Sequence, residues 1–299
     1  MKQDTKYKIK RYCGNVVIIL PLIIMVCVCL IPFIVMISSS FSSNNIIKEG
    51  VVLFPKEPTV LAYQYLFSMP QDILKSYGVT LIVTFLGTIL NIFFCSLIAY
   101  PLSDPDFRWR KIITFFVFFT MLFQVGLIPQ YIVITRLFHL NDTIFILILM
   151  PLCAPGHILL LKVYFGALDK TLFESARMDG AREWRVLFQV AIPLIKPGLI
   201  TCVFQFVIMY WNDAYTSLYY ADTITPIALY IQRWQQYVQD LAVKAAAGQL
   251  PFVSSDSLDV PEKTVQFALG VITTIPLITI FLIFQKYYVR GLTAGAVKG

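Results

Sequence analysis

Six apolar runs set the terms for everything else this chain can do; they fall at about 16–37, 77–102, 112–134, 143–161, 198–220 and 265–284. The first is free of charge from Val16 to Ile37. A helix of about 22 residues is roughly 33 Å long, enough to cross the hydrocarbon core of a bilayer. Backbone groups in lipid must satisfy one another within the segment, so runs of this length are helices. The fold class is therefore an all-α integral membrane protein with six transmembrane helices. Composition agrees, with 58% of the 299 residues hydrophobic and only 14% charged, against about 25% charged in a soluble domain.

The basic start before the first run (Lys2, Lys6, Lys8, Lys10, Arg11) resembles a signal peptide, with Ser38-Ser39-Ser40 as a small-residue cleavage site. The run is too long for a signal core. It is read as a retained first span, kinked at Pro21 and Pro32. An even number of spans puts both termini on one side. With the N-terminus inside, segments 1–15, 103–111, 162–197 and 285–299 together hold 17 of the 24 Lys and Arg. The remaining 7 are spread over three outer segments that are longer in total. The positive-inside rule then makes both termini cytoplasmic and the protein a multi-pass component of the cell membrane. Residues 1–15 form the cytoplasmic N-terminus, 16–289 the six-helix transmembrane domain, 221–264 a long outer loop and 290–299 a cytoplasmic tail.

The net charge of +7 follows from this loop asymmetry and is not a nucleic-acid footprint. Two His and six Cys, with no CxxC pair, offer no metal set. The chain has neither a dinucleotide fingerprint nor a G-x-x-x-x-G-K-[ST] phosphate loop. No catalytic constellation is visible, so the chain is expected to be no enzyme and to bind no cofactor. Any transport driven by ATP needs its engine on another polypeptide.

The segment from Lys162 to Pro197 cannot sit in lipid, because it carries Glu174, Arg177, Asp179, Arg182, Glu183 and Arg185. One ionised side chain at mid-membrane costs about 3 kcal/mol or more. Residues 174–178 read as a helical turn, Asp179-Gly180 as a break, and 181–190 as a second helix with Trp184, Leu187 and Phe188 on one face. Gly180 reads as the residue whose positive φ sets the angle between the two helices. Pro193 and Pro197 punctuate the re-entry into the membrane. An apolar ridge beside a charged ridge suits docking into a groove on a soluble partner.

The run Glu174-Ser175-Ala176, Asp179-Gly180-Ala181, Phe188, Pro193 resembles the EAA loop of binding-protein-dependent ABC importer permeases. Ser175 stands where that pattern has Ala. The resemblance implies a type I ABC importer permease fold and a coupling helix seated in the cytoplasmic ATPase. The family's matching Glu meets a basic residue there; a local pair between Glu174 and Arg177 is the alternative. The tail Gly291-Leu292-Thr293, Gly295 and Lys298 resembles the ending of the maltose-type carbohydrate permeases, where it enters the interface between two ATPase subunits.

Trp211-Asn212-Asp213 is similar to a run found in sugar permeases, and with Asn91 and Gln124 makes a candidate translocation path. By chemistry alone, an aromatic belt with a structural hydrogen-bond network is the stronger alternative. The tip Gly248-Gln249-Leu250-Pro251-Phe252 of the long outer loop is a candidate probe of the binding protein. The resemblance implies a second, homologous permease, two copies of an ATPase subunit that bind ATP and Mg, an extracytoplasmic solute-binding protein, and a carbohydrate substrate, an oligosaccharide cut from a larger glycan. The rival readings are a permease for a non-sugar solute, and an ATP-independent carrier or membrane enzyme.

Overall fold

The computed structural model describes residues 2–50, 52–68, 70–246 and 262–296, and every regular element among them is helical. The long α1 (Lys2–Ser40) is followed by the short α2 (Asn44–Glu49) and α3 (Leu61–Ser68), then by α4 (Pro70–Ser103). Next come α5 (Arg110–Leu122) and α6 (Leu127–Ile132), which runs on into a π turn, Val133–Leu137. Three further helices, α7 (Ile144–Leu149), α8 (Pro155–Gly166) and α9 (Lys170–Met178), lead to α10 (Glu183–Arg185). A second π turn, Val186–Ala191, joins it to α11 (Ile192–Leu194). The chain closes with α12 (Lys196–Trp211), α13 (Tyr215–Tyr220), α14 (Ile227–Ala246) and α15 (Glu262–Ala296).

Among the described residues, three stretches are long and apolar enough to cross a membrane: Ile19–Ser40, Gln71–Ser103 and Lys263–Gln285. Counting each of two bent helix pairs as one span raises this to five. The expected third run is broken, with a 110° bend between α5 and the α6 segment. The bend falls at Phe123–Gly126, beside the polar Gln124. The expected fourth run is divided between α7 and α8, around Pro151 and the left-handed Cys153 (φ 58°).

One compact unit comprises residues 1–70 and 234–274. The serines that end α1 are buried within it. Ser38 Oγ donates to the Leu53 carbonyl at 2.8 Å, Tyr63 Oη donates to Ser40 Oγ at 2.9 Å, and Thr264 Oγ1 donates to the Ser42 carbonyl at 3.3 Å. Small hydroxyl residues let these backbones approach closely and supply hydrogen bonds where water is scarce. Further up α1, Ile19 to Ile37 turn their large apolar side chains outward, as a lipid-facing helix does.

The second unit comprises residues 71–233 and 275–299. Four segments each lend it one helical stripe: Cys95, Ala99 and Leu102 from α4; Ile158, Leu161 and Phe165 from α8; Leu187, Ala191 and Ile195 from the α10–α11 region; and Cys202 and Phe206 from α12. Spacings of three and four residues put each set on one face. A second cluster gathers Val83, Ile134, Ile146, Leu147, Ile148, Tyr210 and Tyr220. Asn91 is fully buried in the same unit. It answers the break between α7 and α8: its Nδ2 donates to the Pro151 carbonyl at 3.2 Å, and its Oδ1 accepts the Cys153 N–H at 2.9 Å. A proline break frees backbone groups that lipid cannot satisfy, and a side-chain amide from a neighbouring helix satisfies them here. Nδ2 also lies 2.6 Å from Tyr210 Oη, which itself donates to the Ile148 carbonyl at 2.8 Å. Tyr210 lies flat against Gly87, where a Cβ would run into the ring.

Candidate functional site

The charged segment forms two helices joined by a tight turn. Asp169 opens α9, its carboxylate accepting the Thr171 N–H at 3.0 Å. The helix ends in a Schellman motif. Gly180 sits at φ +80°, its N–H donates to the Arg177 carbonyl at 3.0 Å, and the Ala181 N–H reaches the Ala176 carbonyl at 3.0 Å. Nothing lies within 4 Å of a Cβ built on Gly180, so only backbone strain selects glycine there. The expected second helix starts two residues later than the sequence suggested, at Glu183, and runs through the π turn to Leu194. At Ile195 the chain bends by 85° into α12, with Pro197 in the first turn of the new helix.

The expected ridge of Trp184, Leu187 and Phe188 divides. Leu187 turns into the core, whereas Trp184 is 61% exposed and stacks on Phe188 at 5.9 Å with the rings 3° from parallel. Met178, at the other side of the turn, is 88% exposed. This surface therefore carries bare apolar side chains among charges, as a docking element requires.

Glu174, Ser175, Asp179 and Pro193 are exposed, and Ala176 and Ala181 half-buried. Glu174 does not form the local pair with Arg177. Arg177 instead grips Glu183 across the turn, Nε to Oε1 at 2.8 Å and Nη2 to Oε2 at 3.3 Å, which holds the guanidinium above its ordinary range. Tyr100 Oη, near the end of α4, donates to Glu183 Oε2 at 3.3 Å. Lys170 Nζ lies 2.8 Å from Asp106 Oδ2. That hydrogen bond holds the Asp106 carboxyl below its usual range and the Lys170 ammonium above its own. Glu174 lines a cleft of about 530 Å³ floored by Tyr100, Phe165, Phe173 and Leu187 and rimmed by Asp104, Asp106, Lys170 and Arg177. The sequence marked 103–111 only as a charged turn and did not show that it pairs with α9; opposite charges in the two segments are the signal it held.

The candidate path residues do not converge on one site. Asn91 braces the chain's own core, as described above. Asp213 caps α13, its Oδ1 accepting the Thr216 N–H at 2.9 Å. Asn212 is exposed and donates to the Ile208 carbonyl at 3.0 Å. Gln124 is exposed at the bend after α5. Trp211 is 3% exposed and lines an apolar cavity of about 650 Å³ beside Thr84, Thr88, Phe93, Ser96 and Phe188. Gly291, Leu292, Thr293 and Gly295 continue the backbone helix of α15. Lys298 and the tip Gly248-Gln249-Leu250-Pro251-Phe252 lie outside the described residues. No group of three or more His, Cys, Asp or Glu that could hold a metal ion occurs among the described residues.

The binding-protein-dependent transport system inner membrane component family matches residues 92–294, a range that encloses the whole charged segment. The chain is 32% identical over 273 residues to the polygalacturonan/rhamnogalacturonan transport system permease protein YtcP of Bacillus subtilis, covering 91% of this chain and 93% of that protein. It is 29% identical over 300 residues to the trehalose/maltose transport system permease protein MalG of Thermococcus litoralis, covering 95% and 97%. Among solved structures, a chain of a bacterial ABC transporter involved in the import of the acidic polysaccharide alginate matches with a TM-score of 0.77 and 31% identity. That match covers 93% of this chain and 97% of the other.

Proposed function

The chain belongs to the family of binding-protein-dependent transport system inner membrane components, and on that premise we propose that it is the permease subunit of an ATP-driven importer of oligosaccharides. One observation carries this: the relatives with which it aligns nearly end to end include permeases of saccharide transport systems. The alginate importer, whose cargo is a polysaccharide, supports a solute cut from a larger glycan.

In this reading the chain crosses the membrane six times, through α1, α4, the α5–α6 pair, the α7–α8 pair, the α12–α13 pair and α15. Both termini and the 162–197 segment are cytoplasmic. The Schellman turn at Gly180 presents Met178 and Trp184 to a groove on an ATPase subunit, two copies of which bind ATP and Mg. A second permease completes the pore, and a solute-binding protein delivers the sugar to the opposite face. The 85° bend at Ile195 fits a surface helix feeding directly into a span.

The test is uptake by the complex, purified with its ATPase, partner permease and binding protein and sealed into liposomes. Oligogalacturonides, alginate oligosaccharides and maltodextrins are offered beside an amino acid and phosphate. ATP-dependent entry of a saccharide alone is expected. Entry of the amino acid or phosphate in place of every saccharide overturns the sugar assignment.

A further inference from the structure

The docking segment is tied to α4 at two points, and neither tie is needed to build the turn itself. The first is a ladder of three rings. Trp184 stacks on Phe188, and Phe188 stacks on Phe93 of α4 at 6.1 Å with the planes 19° apart. The second is the hydrogen bond from Tyr100 of α4 to Glu183, the first residue of α10. Phe93 and Tyr100 are seven residues apart, two turns of helix, so both sit on one stripe of α4 about 10 Å long. Phe188 stands in a π turn, a helix irregularity that recurs at functional sites. Two residues before Phe93, Asn91 locks α4 to the α7–α8 break and to Tyr210. The ladder also opens on the apolar cavity beneath the docking segment, since Phe93, Phe188 and Trp211 all line it.

We propose that Phe93 and Tyr100 are positioning residues that make the 93–103 end of α4 move with the docking segment, carrying a displacement of Trp184 into the membrane-embedded core. This rests on the reading of 162–197 as the ATPase-docking segment. Two struts on one stripe resist both sliding and rotation of α10 against α4, whereas one contact leaves a pivot. Ring pairs at 5.9 and 6.1 Å lie within the range of offset aromatic packing, and packed side chains transmit a push. The strut at Tyr100 transmits a pull because it ends on a carboxylate that Arg177 holds in place.

The experiment is hydrogen–deuterium exchange on the complete purified complex, with and without Mg-ATP plus vanadate, for wild type and for Phe93→Leu/Tyr100→Phe. In wild type, peptides from 183–194 and from 93–103 change exchange together on adding nucleotide. In the double variant the 183–194 response is kept and the 93–103 response falls by about fivefold or more, the lower end of an ordinary coupling between sites. Restoring the ring and the hydroxyl with Phe93→Tyr on the Tyr100 background recovers it, an outcome that a merely structural role does not predict. A double variant in which 93–103 responds as in wild type overturns the inference alone. So does a wild type in which 183–194 responds and 93–103 does not. A wild type in which 183–194 shows no nucleotide response overturns the docking reading, and the inference with it.

Discussion

Gly180 is the residue at which sequence and geometry meet most directly. Its φ of +80° is reached cheaply by glycine, less cheaply by asparagine, and at a cost of about 1–2 kcal/mol by other L-residues. No neighbour crowds the position, so a substitution there reports strain and nothing else. Replacing Gly180 by Asn, Ala and Val is expected to weaken ATPase retention in that order. Ala should cost about fivefold in the affinity of detergent-purified permease for its ATPase. Equal binding by Gly180→Ala and wild type counts against the turn as the element that sets docking geometry. Asn91 shows how far residue-level reasoning reaches. A lone amide among apolar residues must find partners, and that need is legible. Its partners lie 60 and 62 residues away at Pro151 and Cys153, and 119 residues away at Tyr210, and no local pattern points to them.

At the scale of elements, helical periodicity located the two helices of the docking segment but assigned one face wrongly. Leu187, Ala191 and Ile195 recur every four residues and form the buried stripe. Trp184 and Phe188 recur every four residues on the neighbouring stripe and stay outside. Spacings of three and four look alike in so short a run, and the π turn widens the helix further. Within 221–264, set out from the sequence as a long outer loop, α14 covers 20 residues. Its approach is held by Asp142, whose carboxylate accepts the Thr223 N–H at 2.9 Å and the Thr223 hydroxyl at 2.8 Å. The Asp142 N–H in turn donates to the Tyr220 carbonyl at 2.7 Å. The Thr223 hydrogen bonds hold the Asp142 carboxyl below its usual range. A depressed carboxyl stabilises the fold above its unfolded pKa and loses that contribution as pH falls through the folded one. Wild type is thus expected to melt above Asp142→Asn at pH 7, with the gap closing below about pH 4. A gap that persists unchanged at pH 3 excludes the carboxylate as its source.

For the whole molecule, the charge asymmetry makes the sharpest statement. A cysteine placed at Arg185 is expected to react with a membrane-impermeant maleimide only after the membrane is opened, since 162–197 holds six of the Lys and Arg. Labelling of that position on intact cells reverses the topology, and with it the side on which an ATPase can bind. The exposed surface of α5, none of whose 13 residues is buried, fits a subunit that meets lipid or another subunit on that side. Individual large apolar side chains on a soluble surface are ordinary, but a whole bare helix is not.

What the amino-acid sequence determined by itself is what short-range physics encodes. The length of an apolar run dictates a helix in lipid, a charged segment is kept out of it, and Asp-Gly after a helical turn calls for a left-handed cap. These establish the all-helical membrane fold, the position of the charged segment proposed to dock and the turn at Gly180, and the matching residues point to the family. Only the tertiary structure decided which helices touch and through which atoms. The pairing of Phe93 with Phe188, of Tyr100 with Glu183, and of Asn91 with the break between α7 and α8 depends on the rotation of each helix about its axis. That rotation is set by packing against every neighbour at once. In almost uniformly apolar spans, polarity marks no face as the inner one, so the contacts that link the 183–195 segment to the core are fixed by the tertiary structure alone.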